Sequence, residues 1–539
     1  MVIGGLGGQR REQPQPRRQR PQLPQGDRRT HLPASVLLVL AGIGYGYLPG
    51  PNLELDPEVV LYLVIPPLLY GAALQSSLTA LRRNARTVIG LSVALVLVTA
   101  LAVGCGLNAV VAAVPLSFAI AVGAAVSPPD PVAALSIGRR AGMSPRLTTL
   151  VEGEGLLNDA TALTILQVAV ATAIGGRFSV GHAVGDFLFV AAGGLAVGMA
   201  VAWVIAYLRK AASDPLTDNA LSLGTPFAAY VAAESLHVSG VLAVVVAGLW
   251  LGHRSASLQS SGARLQTRSV WHLVEYLLEG YVFLLIGQQL PAVVRGLAAY
   301  DPGTVVAAGA VTVGIVLLVR PMWLLAAAHL PARMHARLGG DPRPDNPPLS
   351  GRELLALSWA GTRGVITLAA AFTLPASTPA RDLLLFCAYL VVLVTLVGQG
   401  LTFAPLLRRL RLPGTAVSRA LTRNEARAAA VQAALDRLTA LAEADPGVRD
   451  VAAPLRRAAE GRHKRYTERV ALLSHVEDQV LPVDDRYRAA LLARREMIAA
   501  ERDELLAWRD AGRLADADMR ILERELDHEE SVLPSLPPS

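Results

Sequence analysis

The sequence alternates long apolar blocks with short polar or charged segments from Pro33 to about Leu407. The blocks are roughly 17–27 residues long, and about 20 apolar residues form a helix that crosses the hydrocarbon core of a bilayer. The pattern therefore predicts an all-α polytopic membrane protein with about twelve transmembrane helices. The predicted spans lie near residues 33–49, 58–78, 87–109, 113–138, 147–174, 184–208, 219–236, 238–252, 270–290, 303–328, 354–375 and 382–407.

The pattern changes at both ends of this apolar region. Residues 1–32 are rich in Arg, Pro, Gln and Gly, which predicts a disordered basic segment. Residues 411–539 combine helical apolar spacing with dense charge, which predicts a small helical bundle or a coiled-coil hairpin. We therefore expect three parts: this N-terminal segment, a transmembrane domain over residues 33–410, and a cytoplasmic helical regulatory tail over residues 411–539.

Loops rich in basic residues alternate with loops that are poor in them. The rich loops lie at residues 82–86, 139–146, 209–210, 254–268, 333–352 and 408–411. The opposite loops carry acidic residues or a single arginine. Because basic loops stay on the cytoplasmic side, both termini are expected in the cytoplasm, with the protein in the plasma membrane. An even number of spans agrees with that orientation.

Composition supports this interpretation and excludes other classes. Of the 539 residues, 52% are hydrophobic and 17% are charged, which favours a membrane protein over a soluble enzyme. The net charge of +7 comes almost entirely from arginine in short loops, so topology explains it and no nucleic-acid partner is expected. The sequence contains no phosphate-binding loop, metal-ligand cluster or nucleophile–base pair, so we expect neither enzymatic activity nor a cofactor.

Three carboxylates and an amide stand at the head of the predicted span 147–174. They are Glu152, Glu154, Asp159 and Asn158. A charge deep in a bilayer is costly, so Asp159 is expected to handle a proton or a cation. On a helix, Glu154 points roughly 140° away from Asp159, which predicts a separate role for Glu154 in pairing with a basic residue. The alternative is that Asp159 only hydrogen-bonds a neighbouring helix.

Three prolines interrupt the predicted span 113–138. The segment Ser127-Pro-Pro-Asp-Pro-Val132 cannot continue a regular helix, because each proline lacks an N–H and clashes with the preceding turn. Irregular backbone at membrane depth is tolerated only inside protein or beside a water-filled cavity. The sequence therefore predicts a discontinuous helix with Asp130 at its break. The alternative is a simple kink from which Asp130 reaches the interface.

Two arginines fall inside later apolar segments. Arg320 ends an apolar run before a proline, and Arg363 stands between two glycines that weaken a helix. Because an unpaired charge is costly there, we expect them to pair with Glu154 and with carbonyls that broken helices free. The alternative is that each arginine reaches the interface. The early and late breaks lie in corresponding halves, as in transporters with inverted repeats and a site near the midplane.

Several motifs stand in the order and spacing of bacterial sodium/proton antiporters. They are Pro66-Pro-Leu-Leu-Tyr70, Ser127-Pro-Pro-Asp-Pro-Val-Ala133, Glu152–Thr161, Phe283-Leu-Leu-Ile-Gly287 and Gly361-Thr-Arg-Gly364. The chain therefore resembles the branch of the monovalent cation:proton antiporter family that is related to eukaryotic sodium/proton exchangers. The resemblance covers about residues 33–410, and the Asn-Asp pair with Asp-Pro-Val upstream is quite specific.

The resemblance implies a homodimer with a dimerisation domain and a mobile core domain that moves by alternating access. It implies that Asp159 binds the cation or the proton. Asn158 stands where electroneutral members have Asn and electrogenic relatives have a second Asp. Asp130 and the carbonyl of Pro129 would belong to an unwound crossing helix at the cation site.

The resemblance also implies supporting roles for the remaining charged residues. Glu154 would pair with Arg320, and Arg363 would steady the other crossing helix. One departure concerns the ion site: the family's usual serine is Gly155 here, so water, Asp130 or Thr161 would have to replace its hydroxyl.

A second departure concerns the N-terminus. Most members begin with another transmembrane helix before the one that matches Pro33–Pro49, whereas an Arg/Pro/Gln-rich stretch stands there in this chain. Either the chain lacks that helix or its start is misassigned.

The expected function is secondary active transport of a monovalent cation, with Na⁺ favoured, in exchange for H⁺. A cation or a proton would occupy Asp159 in turn. With one titrating carboxylate, exchange of one cation for one proton is electroneutral. The alternatives are K⁺/H⁺ exchange, a passive cation channel, and a membrane scaffold that acts through the cytoplasmic helices. The sequence leaves Na⁺, K⁺ and Li⁺ selectivity open.

Overall fold

The structure is a computed structural model that describes residues 34–48, 57–141, 143–175, 180–211, 214–328, 349–410, 415–474, 485–511 and 513–533. These residues form helices joined by short segments, and none of them lies in a β-strand. The predicted all-α class is confirmed. Two units can be distinguished, the membrane helices up to Leu410 and the helices from Thr415 onward.

Eighteen α-helices make up the described part of the first unit. The first nine are α1 (Ala34–Gly46), α2 (Pro57–Val59), α3 (Ile65–Gln75), α4 (Leu78–Arg83), α5 (Ala85–Ile89), α6 (Leu95–Val110), α7 (Leu116–Val126), α8 (Pro131–Arg140) and α9 (Pro145–Ala173). The others are α10 (Val180–Ala211), α11 (Pro215–Ser235), α12 (Gly240–Leu258), α13 (Ser261–Gly296), α14 (Pro302–Ala328), α15 (Gly351–Trp359), α16 (Val365–Phe372), α17 (Arg381–Val394) and α18 (Gly400–Leu410).

Short turns of other helix types continue some of these helices. π-helical turns at Val60–Val64, Gly90–Ala94 and Thr395–Gln399 join α2 to α3, α5 to α6 and α17 to α18. A 3₁₀ turn at Leu297–Ala299 follows α13. These turns let a span continue through a local change of pitch.

Seven helical segments among the described residues are long and apolar enough to cross a membrane. They are Ala85–Val110, Pro145–Ala173, Val184–Ala211, Gly240–Leu258, Gly262–Ala299, Pro302–Ala327 and Arg381–Leu410. Shorter apolar helices occur at Val36–Gly46, Val60–Gln75 and Leu116–Val126. The chain is therefore a polytopic membrane protein, and the number of twelve spans stays a prediction.

Glycines allow helices to approach closely at defined places. A Cβ atom on Gly42 of α1 would overlap the carbonyl oxygen of Leu284 on α13, and one on Gly287 would overlap the carbonyl oxygen of Val39. Small residues at helix interfaces are typical of membrane proteins, since van der Waals packing between backbones holds such helices together. The pair α1 and α13 is fixed in this way.

Helix α7 lies in the interior of the first unit. Its residues from Phe118 to Val126 are almost all buried, and it packs against α6, α16 and α17. Gly123 faces the carbonyl of Ala100 on α6 so closely that a Cβ atom would overlap it. The end of α7, and with it the proline segment that follows, therefore lies inside the protein.

The described part of the second unit contains four helices. They are α19 (Thr415–Ala444), α20 (Pro446–Ser474), α21 (Asp485–Asp510) and α22 (Asp516–Val532). Helices α19 and α20 pack against each other and bury small side chains such as Ala428 and Ala459. Arg502 of α21 contacts both Asp527 and Glu530 of α22 at 2.9 Å. Exposed ion pairs of this kind contribute about 0–1 kcal/mol each.

Candidate functional site

Two interrupted helices cross at the centre of the candidate site. The chain is non-helical between α7 and α8 and again between α15 and α16. The Asp130 amide donates a hydrogen bond to the Thr362 carbonyl at 2.6 Å, and the Thr362 hydroxyl donates to the Asp130 carbonyl at 3.0 Å. The backbone groups that each break leaves without a partner in its own helix thus form hydrogen bonds with the other break.

Arg363 is buried at this crossing, and its guanidinium binds backbone carbonyls. Nε donates to the Val126 carbonyl at 3.0 Å, Nη2 donates to the Ser127 carbonyl at 3.1 Å, and Nη1 donates to Gly361. The carbonyls at the C-terminal end of a helix carry partial negative charge and lack partners within the helix. The positive charge of Arg363 therefore stabilises the unpaired carbonyls at the C-terminal end of α7. The sequence predicted that a buried arginine would pair with such carbonyls.

Asp130 caps the second half of the first interrupted helix. Its Oδ1 accepts a hydrogen bond from the Val132 amide at 2.9 Å, which satisfies one free donor at the start of α8. Its Oδ2 faces Gly364, where a Cβ atom would overlap the carboxylate. Glycine at position 364 is therefore required for this close approach.

Glu154 and Arg320 form an ion pair, the pairing that the resemblance to the antiporter family implied. Both guanidinium nitrogens Nη1 and Nη2 contact the carboxylate, Nη2 at 2.8 Å, and the side chains are 1% and 3% exposed. Arg320 Nε also donates to the Leu357 carbonyl at 3.0 Å. The pair links α9, α14 and α15, and its bidentate geometry offsets the cost of burying two charges.

Asn158 joins α9 to the proline segment. Its Nδ2 donates to the Pro129 carbonyl at 2.8 Å, and the residue is fully buried. Within the described part of the chain, its Oδ1 has no hydrogen-bond partner. A buried amide oxygen without a partner is unfavourable unless a ligand or water fills the space. The structure thus brings Asn158 together with Pro129, and the cation role of both stays a prediction.

Asp159 lines an internal cavity of about 90 Å³ and is 4% exposed. Among the described residues, no basic side chain forms an ion pair with it. The cavity is also lined by the proline segment, by α3 and by α13, at Ser76, Pro128, Pro129, Asp130, Pro131, Gly155, Glu279, Phe283 and Thr367 among others. A buried carboxylate without a basic partner favours a bound proton or cation.

Gly155 allows the two halves of this site to pack together. A Cβ atom there would overlap the ring of Pro131, so α9 and the start of α8 touch at this glycine. Thr161, one of the groups named to replace the absent hydroxyl, donates instead to the Leu157 carbonyl of its own helix at 3.3 Å. Thr161 does not appear among the described residues that line the cavity.

Three polar residues that line the cavity were not among the predicted site residues. Ser76 directly follows α3, Thr367 lies on α16, and Glu279 lies on α13. The i, i+4 spacing of Glu275 and Glu279 indicates one shared helix face, which the sequence explained equally well by inter-helix packing or by a cytoplasmic funnel. The packing of α13 against α3 turns this face toward the cavity that Asp159 lines, and the sequence does not show that packing.

Comparisons with known proteins show the family of this chain. The family model for the transmembrane sodium/hydrogen exchangers matches residues 27–409. The chain belongs to the sodium/hydrogen exchanger family. An uncharacterized Na⁺/H⁺ exchanger of Mycobacterium tuberculosis is 32% identical to this family member over 512 residues, which cover 92% of this chain and 91% of that protein.

Two further relatives of this exchanger carry more specific names. The Na⁺/H⁺ antiporter ApNhaP of Aphanothece halophytica is 30% identical and covers 77% of this chain and 76% of its own length. A sodium, potassium, lithium and rubidium/H⁺ antiporter of Bacillus subtilis is 32% identical, over 68% of this chain and 56% of its own length. Relatives of similar identity thus differ in the cations that their names include.

A solved structure shares the fold of this exchanger. The sodium proton antiporter MjNhaP1 from Methanocaldococcus jannaschii matches with a TM-score of 0.54 and 20% identity, over 71% of this chain and 92% of that chain. The fold of the membrane unit is therefore that of MjNhaP1.

Proposed function

We propose that this protein exchanges a monovalent cation for a proton across the membrane by alternating access, with competition at Asp159. The observation that carries the proposal is the position of this carboxylate. It is buried, it lines a cavity, and it lies beside two interrupted helices. The names of the antiporters from Aphanothece halophytica and Bacillus subtilis support the same function.

Competition follows from the charge of the site. A carboxylate in a space of low dielectric is unfavourable as a bare anion, so it is stabilised by either a proton or a cation. One carboxylate charge is neutralised by a single proton or a single monovalent cation, so the two compete for it. With a proton or a cation bound, the protein would move between states that are open to opposite sides of the membrane. With Asp159 as a bare anion, that conformational change would be unfavourable.

The neighbours of Asp159 supply the remaining ligands in this proposal. The carbonyl of Pro129, the free Oδ1 of Asn158 and the carboxylate of Asp130 are oxygen groups, as hard monovalent cations require. Because Asn158 adds no charge, exchange of one cation for one proton would be electroneutral. Glu154, Arg320 and Arg363 would hold the interrupted helices in place.

Na⁺ is the favoured cation, and K⁺/H⁺ exchange is the alternative. The relative from Bacillus subtilis, named for sodium, potassium, lithium and rubidium, supports a site that also accepts K⁺ or Li⁺. A passive cation channel is less favoured, since a channel needs no buried carboxylate that a proton can neutralise.

The cellular setting belongs to the same proposal. Both termini would lie on the cytoplasmic side of the plasma membrane, as the arginine-rich loops favour. Residues 33–410 would form the transport domain, acting as a homodimer in the lipid bilayer. Residues 411–539 would form a regulatory tail.

The experiment uses everted membrane vesicles that contain the full chain. Respiration first acidifies the vesicles, and Na⁺, K⁺ and Li⁺ are then added in turn. When K⁺ is not the test ion, valinomycin and K⁺ clamp the membrane potential. Exchange predicts proton efflux upon addition of a transported cation. A current that follows voltage without a proton gradient would support a channel instead.

A further inference from the structure

A second group of polar side chains, buried except for the half-buried Gln259, lies away from the ion cavity. We call it the Arg209 network, and it consists of Tyr70, Arg209, Asp218, Asn219, Ser222, Gln259, Thr267 and Trp271. None of these residues lines the described cavity around Asp159. The network therefore has no part in the proposed cation site itself, although it includes a charged pair, Arg209 and Asp218, inside the membrane unit.

An ion pair forms the centre of this network. Arg209 Nε lies 3.4 Å from Asp218 Oδ1, and the two side chains are 1% and 8% exposed. Gln259 Nε2 donates to the other carboxylate oxygen at 2.5 Å. A buried ion pair gains little net stability over apolar residues, so its presence favours a functional or specifying role. The pair joins the end of α10 to the start of α11.

Side-chain hydrogen bonds extend the network from α11 to α13. Thr267 donates to Asn219 Oδ1 at 2.7 Å, and Trp271 Nε1 donates to Ser222 Oγ at 2.9 Å. Asn219 and Ser222 follow Asp218 on α11 by one and four residues. The first turns of α11 thus hold α13 at two points, one helical turn apart.

Tyr70 connects the network to α3. Its side chain is fully buried, and its ring lies 5.1 Å from the ring of Trp271. Within the described protein, the Tyr70 hydroxyl and the Arg209 Nε and Nη2 atoms have no hydrogen-bond partner. Electrostatics and packing rather than a direct hydrogen bond therefore couple Tyr70 to Arg209.

The network reaches the two helices that form one wall of the ion cavity. On α3, Leu69 precedes Tyr70 and lines the cavity. On α13, Trp271 is followed at intervals of four by Glu275, Glu279 and Phe283, and the last two line the cavity. Residues at i, i+4 share one face of a helix. A shift of Trp271 against Tyr70 would therefore move Glu279 and Leu69 relative to Asp159.

We propose that Arg209 is a positioning residue for cation binding, acting through Asp218, Ser222 and Trp271 on the wall that α3 and α13 present to the cavity. This inference rests on the proposed exchange activity. It adds a role in cation affinity for residues that do not touch the ion. Loss of the network should weaken cation binding and leave proton binding at Asp159 unchanged, because α9 and the proline segment are held by other contacts.

The test is the double substitution Arg209→Met with Asp218→Leu, which removes both charges and leaves neither partner buried alone. Exchange is measured in proteoliposomes as a function of Na⁺ concentration and of pH. We expect the apparent KM for Na⁺ to rise about threefold to tenfold. The maximal rate and the pH of half-maximal exchange at saturating Na⁺ should stay near those of the unchanged protein.

Two further variants keep the result decisive. Trp271→Phe retains an aromatic ring against Tyr70 but removes the hydrogen-bond donor to Ser222, so it should also raise the KM for Na⁺. This variant tests the proposal even if the double variant folds poorly. Arg254→Met is the matched control, because Arg254 stacks on Trp250 at 4.7 Å outside the network, and it should leave the KM unchanged.

The outcomes separate this inference from the proposed function. An unchanged KM for Na⁺ in folded Arg209→Met/Asp218→Leu or in Trp271→Phe overturns the positioning role. A lower maximal rate at an unchanged KM also overturns it, since that pattern indicates a loss of stability alone. Absence of exchange in the unchanged protein would instead overturn the proposed function.

Discussion

Glu154 and Arg320 form a bidentate ion pair that joins α9 to α14, with both side chains almost fully buried. Asp159 lies five residues after Glu154 on the same helix, so the ion pair holds the helix that presents Asp159 to the cavity. The pair does not line the cavity itself among the described residues. Stability and ion binding on α9 therefore depend on different faces of the helix.

The substitution Glu154→Gln should be strongly destabilising, because it leaves the Arg320 charge buried without its partner. Breaking a buried pair in this way costs about 3–5 kcal/mol. Thermal unfolding of the purified protein in detergent measures the effect. Glu154→Leu combined with Arg320→Met should recover most of the loss. Glu468→Gln, whose carboxylate is 64% exposed, serves as a control with little effect.

The substitution Asn158→Asp should change the charge moved in each cycle. It adds a further carboxylate beside Asp159, in a site that already holds Asp130, and replaces the 2.8 Å hydrogen bond to Pro129 by a repulsive contact. We expect exchange that generates a membrane potential, detected with a potential-sensitive dye. Asn108→Asp is the matched control, since Asn108 also donates to a carbonyl, that of Val114 at 2.9 Å. Exchange that stays electroneutral would refute the assigned role of the amide.

The substitution Gly155→Ser should reduce transport rather than improve cation binding. The added side chain would overlap the Pro131 ring and push α9 from the start of α8. Overpacking of this kind costs about 1–3 kcal/mol. Thermal unfolding and the rate of Na⁺/H⁺ exchange measure the effect, and Gly314→Ser, at a glycine with open space around it, is the control. Tighter Na⁺ binding at unchanged stability would contradict the packing argument.

The substitution Glu279→Gln should lower the apparent affinity for cations. The carboxylate lines the same cavity as Asp159 and attracts a cation that approaches it. The KM for Na⁺ in proteoliposomes should rise, and the difference should become smaller at higher ionic strength because salt screens the attraction. Glu58→Gln, which removes an exposed carboxylate on α2, is the control. A KM that does not change would remove Glu279 from the cation path.

The interrupted helices could be predicted because proline and glycine act locally. Pro128, Pro129 and Pro131 remove backbone donors wherever they stand, so the break after α7 follows from the sequence. The same holds for Gly361 and Gly364 around the second break. The residues alone predicted that Glu154 would pair with a buried arginine, because a buried charge needs a partner of opposite sign, and the family resemblance implied Arg320 as that partner.

Other features depended on how helices pack, which the sequence does not show. The bond from Asn158 to the Pro129 carbonyl and the contact of Gly155 with Pro131 each join segments that are distant in sequence. In the π-helical turn at Thr395–Gln399, the Thr395 hydroxyl accepts a hydrogen bond from the Arg363 amide. The sequence indicated this turn only by two glycines. For the same reason, the i, i+4 spacing of Glu275 and Glu279 did not place Glu279 at the cavity.

Proton flux in proteoliposomes that contain the Asp159→Asn variant tests the central claim most directly. The substitution keeps the shape of the side chain and removes the charge for which cation and proton would compete. Asp186→Asn, which neutralises an exposed carboxylate on α10, is the matched control. We predict that Asp159→Asn abolishes proton flux driven by a Na⁺ gradient while Asp186→Asn retains it. Retained Na⁺-driven proton flux in Asp159→Asn would contradict the proposed mechanism.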